Sequence, residues 1–283
     1  MTIREISYKG NNILYFPQEN TEYKNSRLLA GIPFLHPWVN RLEKEEIYWG
    51  DTYNWKNKRS SIIRYQEGLP IHGLLLKTNR WENIKTNKNK IQAVYNFHHK
   101  DELNIFPFPH EINLGYEIED LKSLNGCELK VKIDVTNLSY EIFPVVFGFH
   151  PYFSINGYNR NDLKIHIPES NYWVNDNRKI PTGELKPSLE LKELKSLDHV
   201  ITNFKRKKFI LEYPDKFIEI IPEIDMDHMA IFNPPDKDFI CIEPMTAPTN
   251  AFELYRKGIY RSMKTIQPGQ TFQTGYKIRV IYK

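Results

Sequence analysis

The chain predicts an all-β, mostly antiparallel fold, and three observations carry that prediction. Apolar and polar residues alternate with period two, Gly- and Pro-containing turns punctuate the alternating runs, and helical periodicity is thin. Leu129, Val131, Ile133 and Val135 alternate with Lys130, Lys132, Asp134 and Thr136, the pattern of a strand with one face on a core. Tyr276, Ile278, Val280 and Tyr282 repeat it, with Lys277 and Arg279 between them. Shorter candidates are residues 3–8, 13–16, 91–97, 209–213, 217–221 and 239–242. Asn125-Gly126, Asn156-Gly157, Thr182-Gly183 and Pro268-Gly269 supply the turns. Residues 185–197 carry Leu at 185, 189, 191, 194 and 197, enough for a turn or two of helix, and Pro187 excludes a long one.

The aromatic content, 17 Tyr, 16 Phe and 5 Trp, suits pleated sheet surfaces. A chain of 283 residues removes about 70–75% of its unfolded surface from water. No repeat or linker divides it, so one domain over residues 1–283 is expected. The net charge of +4 is interspersed. Its densest cluster, Lys205-Arg206-Lys207-Lys208, reads as a hairpin end or a charge-protected edge strand rather than a nucleic-acid arm. Cys127 and Cys241, the only cysteines, form no disulfide or zinc-ligand pattern. Neither an apolar leader nor an uncharged apolar run of about 18 residues occurs. A protein of the reducing cytoplasm is expected, without nucleic-acid or membrane partners.

Two segments stand apart: Gly148-Phe149-His150-Pro151-Tyr152-Phe153 and Cys241-Ile242-Glu243-Pro244-Met245-Thr246-Ala247-Pro248. Each sets one proton-transfer residue inside an apolar, strand-like run, where a titratable group needs partners or a chemical use. A histidine and a glutamate brought together there supply an acid and a base. His98, His99, His110 and His166 lie in polar or loop-like stretches and read as surface, and Asp225-x-Asp227-His228 reads as a solvated turn.

Five motifs then occur in order. They are Gly31-Ile32-Pro33-Phe34-Leu35-His36-Pro37-Trp38-Val39-Asn40-Arg41-Leu42, Ile71-His72-Gly73, the His150 segment, Leu197-Asp198-His199 and the Glu243 segment. Ile266-Gln267-Pro268-Gly269-Gln270 adds a late turn. Together they resemble the aldose 1-epimerases, or galactose mutarotases, with departures at His36 and Val39. The resemblance implies a β-supersandwich and interconversion of the α and β anomers of a free hexose by acid–base ring opening and reclosure. It implies a small sugar as partner, no cofactor and no metal; a monomer or homodimer is expected.

Under that resemblance Glu243 is the base and His150 the acid toward the ring oxygen. Reference pKa values of about 4.3 and 6.5 let a carboxylate and an imidazolium coexist near neutrality. His72, before a glycine, donates to the sugar or is a turn histidine. Arg41 presents a planar fork to hydroxyls or makes a structural ion pair. Asp198 accepts from hydroxyls and sets the ring's register. Alternatives are a hexose-6-phosphate mutarotase, with Arg64, Lys77 and Arg80 as candidate clamp, a glycosidase using Glu243 with Asp198, and a non-catalytic sugar-binding protein.

Overall fold

The alternation at residues 129–136 lies in the twelve-residue strand Gly126–Asn137, flanked by two strands of equal length, His110–Leu121 and Thr271–Tyr282. In this computed structural model residues 1–17, 29–55, 64, 68–193 and 196–283 are described. These long strands centre an eight-stranded antiparallel sheet. Its order is Lys164–His166, Phe209–Glu212, Lys216–Pro222, Thr271–Tyr282, Gly126–Asn137, His110–Leu121, Lys90–Phe97 and Glu82–Thr86. A second eight-stranded sheet runs Pro181–Pro187, Asn171–Asn175, Leu197–Thr202, His228–Asn233, Phe239–Met245, Gly148–Phe149 and Phe34–Leu35, with Tyr152–Ser154 also paired to Phe239–Met245.

The inward rows of the first sheet, among them Leu114, Val131, Ile133, Ile218 and Ile278, are almost fully buried. They meet Ile231, Ile240 and Ile242 of the second sheet in one apolar cluster. Phe149 packs on Tyr276 with ring centroids 5.0 Å apart, an aromatic contact that ties one sheet to the other. The expected all-β, antiparallel supersandwich is therefore the fold.

Several local expectations change. The turn or two of helix expected in residues 185–197 is a 3-10 helix over Ser188–Glu193, between the end of strand Pro181–Pro187 and the start of strand Leu197–Thr202; Leu194 lies outside the described residues. Lys205-Arg206-Lys207-Lys208 is exposed, but it lies in the turn between strands of different sheets and is not a hairpin end. His110 is buried, 1% exposed. It opens a strand whose inward row continues through Ile112, Leu114 and Tyr116, and its Nε2 meets His36 Nε2 at 2.8 Å. The proline-rich approach to His110 conceals that row. His228 is buried too, as the first residue of strand His228–Asn233. The turn before it is held by Lys264, 2.7 Å from Asp225 and 3.0 Å from Asp227. His98 and His166 are exposed and His99 half-buried.

Candidate active site

All seven residues of strand Phe239–Met245 are buried, a consequence of core on one face and covering loops on the other. Period two places Cys241, Glu243 and Met245 on the covered face and Ile240 and Ile242 toward the core. Thr246 ties the next strand alongside. Its hydroxyl lies 3.2 and 3.1 Å from the carbonyls of Val145 and Phe147 and accepts the Phe147 N–H at 3.0 Å. That tie aligns Gly148 opposite Met245 and Tyr152 opposite Cys241, which swings His150 over Glu243. His150 Nε2 stands 3.2 Å from Glu243 Oε1.

The early segment forms the pocket's other wall. Asn40 takes a left-handed backbone (φ 48°) and its amide donates to Thr249 Oγ1 at 3.0 Å. The Asn250 N–H donates to the Arg41 carbonyl at 3.1 Å, and Asn250 Oδ1 accepts the Glu43 N–H at 3.0 Å. Asn40 and Asn250 thus fasten the Arg41 turn to the end of the Glu243 motif. His72 (φ 62°) and Gly73 (φ 74°) make a left-handed turn against that segment. The His72 N–H donates to the Asn40 carbonyl at 2.9 Å, and the Leu74 N–H to the His36 carbonyl at 2.7 Å. A Cβ on residue 73 would sit 2.1 Å from the His36 oxygen, so only glycine allows this approach.

The structure brings together all five residues singled out in the sequence. The His72 and His150 rings meet edge to face at 5.1 Å. Arg41 Nη2 reaches Asp198 Oδ2 at 3.3 Å, with Asp198 partly open to solvent at the rim. Three neighbours went unassigned in the sequence. Tyr152 stacks on His150 at 4.4 Å with its hydroxyl 3.5 Å from Nε2. The Asn175 amide donates to the Asp198 carbonyl at 3.0 Å. Cys241 brings its sulfur within 4.8 Å of ligand atoms of both His150 and Glu243. Tyr152 and Cys241 were each findable, two positions from His150 and Glu243 on alternating runs, whereas nothing local marks Asn175.

Burial dominates the electrostatics. It pushes the Glu243 carboxyl well above its ordinary value, with Asp198 adding to the rise and Arg41 opposing it. It pushes His150 down to about 3, and His72 well below its ordinary value. The expectation of a charged carboxylate beside a charged imidazolium is therefore modified: desolvation favours the neutral carboxyl and neutral imidazole. Either form holds one proton between the two groups. Among the described residues no protein group satisfies Glu243 Oε2, His72 Nδ1 or His150 Nδ1. His150, Cys241 and Glu243 also set three potential ligand atoms within 4.8 Å of one another.

Two of the three clamp candidates are engaged elsewhere. Arg64 pairs with Glu45 at 2.5 Å, and Arg80 with Asp101 at 3.3 Å and Glu102 at 3.1 Å.

A two-sheet antiparallel β-supersandwich is the fold of the galactose mutarotase-like proteins. A galactose mutarotase-like protein from Clostridium acetobutylicum superposes with a TM-score of 0.78 at 22% identity, covering 96% of this chain and 86% of that one. A Synechocystis protein follows at 0.76 and 21%, covering 99% and 88%. A galactose 1-epimerase from Lactobacillus acidophilus gives 0.71 at 13%, covering 99% and 88%. At these identities the likeness is one of fold. Residues 2–279 match the aldose 1-epimerase family, and the chain belongs to it.

Proposed function

We propose that the protein is an aldose 1-epimerase that interconverts the α and β anomers of a free hexose. The observation that carries this reading is the 3.2 Å contact of His150 Nε2 with Glu243 Oε1 inside a pocket rimmed by Arg41 and Asp198. Glu243 removes the proton of the anomeric hydroxyl while His150 protonates the ring oxygen, so the C1–O5 bond breaks and an open-chain aldehyde forms. Rotation about C1–C2 and closure with the transfers reversed yields the other anomer. After ring opening the carboxyl carries the proton and the imidazole is neutral, which is the distribution burial favours. The burial of the pair thus supports the intermediate, and Arg41 supports the ionised carboxylate that starts the cycle.

His72, unsatisfied at Nδ1, serves as a second donor toward the ring oxygen or a neighbouring hydroxyl. Asp198, held by Arg41, accepts from sugar hydroxyls at the rim. Engagement of Arg64 and Arg80 by carboxylates disfavours the hexose-6-phosphate reading. The complete acid–base pair disfavours a non-catalytic sugar binder.

Polarimetry on freshly dissolved α-glucose, α-galactose and glucose 6-phosphate tests this. Accelerated decay of rotation is expected with a free hexose. A protein that leaves all three at the spontaneous rate refutes the reading.

A further inference from the structure

We infer that His150, Cys241 and Glu243 form a coordination site for a borderline-soft divalent cation of the zinc type, and that its occupation shuts the pocket to sugar. Proton transfer does not require Cys241, yet this thiol is wholly buried on the pocket face of its strand, two residues from Glu243 and opposite Tyr152. An imidazole nitrogen, a thiol sulfur and a carboxylate oxygen converge there within 4.8 Å. Tetrahedral zinc at its usual bond lengths holds ligand atoms about 3.4–3.6 Å apart. The His150 Nε2 to Glu243 Oε1 separation of 3.2 Å lies just short of that span, and rotamer-scale shifts widen it and bring in the sulfur.

Two further observations support the site. Glu243 Oε2, on a side chain 2% exposed, has no protein partner among the described residues, so a cation that replaces the His150–Glu243 contact costs the carboxylate no other bond. Three protein donors leave a fourth tetrahedral position for water, the ligand count of an open zinc site. The donor set is selective: thiolate and imidazole suit zinc and cadmium, whereas magnesium and calcium prefer all-oxygen shells. On binding, the Cys241 thiol proton and the proton held by the Glu243–His150 pair leave to solvent, and three bonds to the cation form. His150 Nδ1 lacks a protein partner to orient the ring, which makes the site reversible and weaker than a structural zinc centre.

The cation takes both residues assigned to proton transfer, so it competes with sugar. The decisive measurement is titration of the full-length protein with cadmium, read by the ultraviolet charge-transfer band of a cadmium–thiolate bond. It needs no catalysis and stands whether or not the proposed activity is found. One equivalent should produce the band in wild type, with zinc displacing it and Cys241→Ser abolishing it. In the polarimetric assay zinc should raise the apparent KM, EDTA should restore the rate, and magnesium or calcium should have no effect. Cys241→Ser should keep its basal kcat/KM within about twofold and need at least about tenfold more zinc for equal inhibition. No cadmium band in wild type overturns the inference, as does equal inhibition of wild type and Cys241→Ser; a thermal melt of the variant confirms that it is folded.

Discussion

The rings of His72 and His150 stand 5.1 Å apart, edge to face at 82°. One comes from a left-handed turn pinned to the early segment, the other from the end of a short strand in the second sheet. Two buried imidazoles in this relation can hydrogen-bond different atoms of one small ring, which a single histidine cannot.

The first prediction concerns His72. Asparagine tolerates the left-handed backbone at this position, so His72→Asn should keep the fold while removing the ring. A loss of about 10²-fold in kcat/KM is expected, the scale of one lost donor to a developing charge. Polarimetry beside a thermal melt checks it, and unchanged activity in a stable variant would remove His72 from the site.

Glu243→Gln and His150→Asn should each lower kcat by about 10²–10⁴-fold. Stability should respond differently. Glu243 has a folded pKa raised above its ordinary 4.5, so the folded protein keeps a proton that the unfolded chain releases. Its contribution is fully present below that value and is lost as pH rises toward the folded pKa. Glutamine does not titrate, so Glu243→Gln should match wild type near pH 4 and gain on it toward pH 7. Melting curves at the two pH values decide the point; a variant that loses ground as pH rises contradicts it.

Acid stability follows from histidines away from the pocket. Burial lowers His110 to about 4 and His228 to about 3 from an ordinary 6.5. A depressed folded pKa gives stability that is whole above pH 6.5 and falls as pH drops toward the folded values. At pH 5 each group costs about 2 kcal/mol, from about 1.4 kcal/mol per pH unit. Chemical denaturation from pH 7 to 5 should show a decline, to which buried His72 and His150 also contribute, and His228→Gln should reduce it by about 2 kcal/mol.

Gly73→Ala should destabilise the protein by more than about 1 kcal/mol, because alanine at positive φ costs at least that much. The overlap with the His36 carbonyl adds to it. Activity should fall with stability, since the same turn aims His72. An alanine variant as stable and active as wild type would show that this turn does not fix the histidine.

Asp198→Asn tests the rim. The Arg41–Asp198 pair at 3.3 Å holds the guanidinium at the pocket mouth. Losing the charge should raise KM about tenfold with kcat changed less, the pattern of an interaction shared by ground and transition states. A loss confined to kcat would instead place Asp198 in the proton transfers.

The strands around residues 129–136 and 276–282 and the antiparallel class were legible in the sequence, and the five positions that the fold brings together were pointed to by its resemblance to the aldose 1-epimerases. The strand readings succeed because alternation and turn chemistry are written in neighbouring residues, where the sheet's two-residue period acts directly. The inward row of His110, Ile112 and Leu114 escaped notice because Pro107 and Pro109 mimic a loop. The ion pair of Arg41 with Asp198, the contact of His110 with His36, the place of Cys241 beside Glu243 and the burial that favours neutral Glu243 and His150 came from the fold alone. Each depends on a distance or a degree of burial set by sheet register between segments far apart in the chain. Solvent exclusion, which moves both pKa values, exists only once the two sheets and their covering loops have closed.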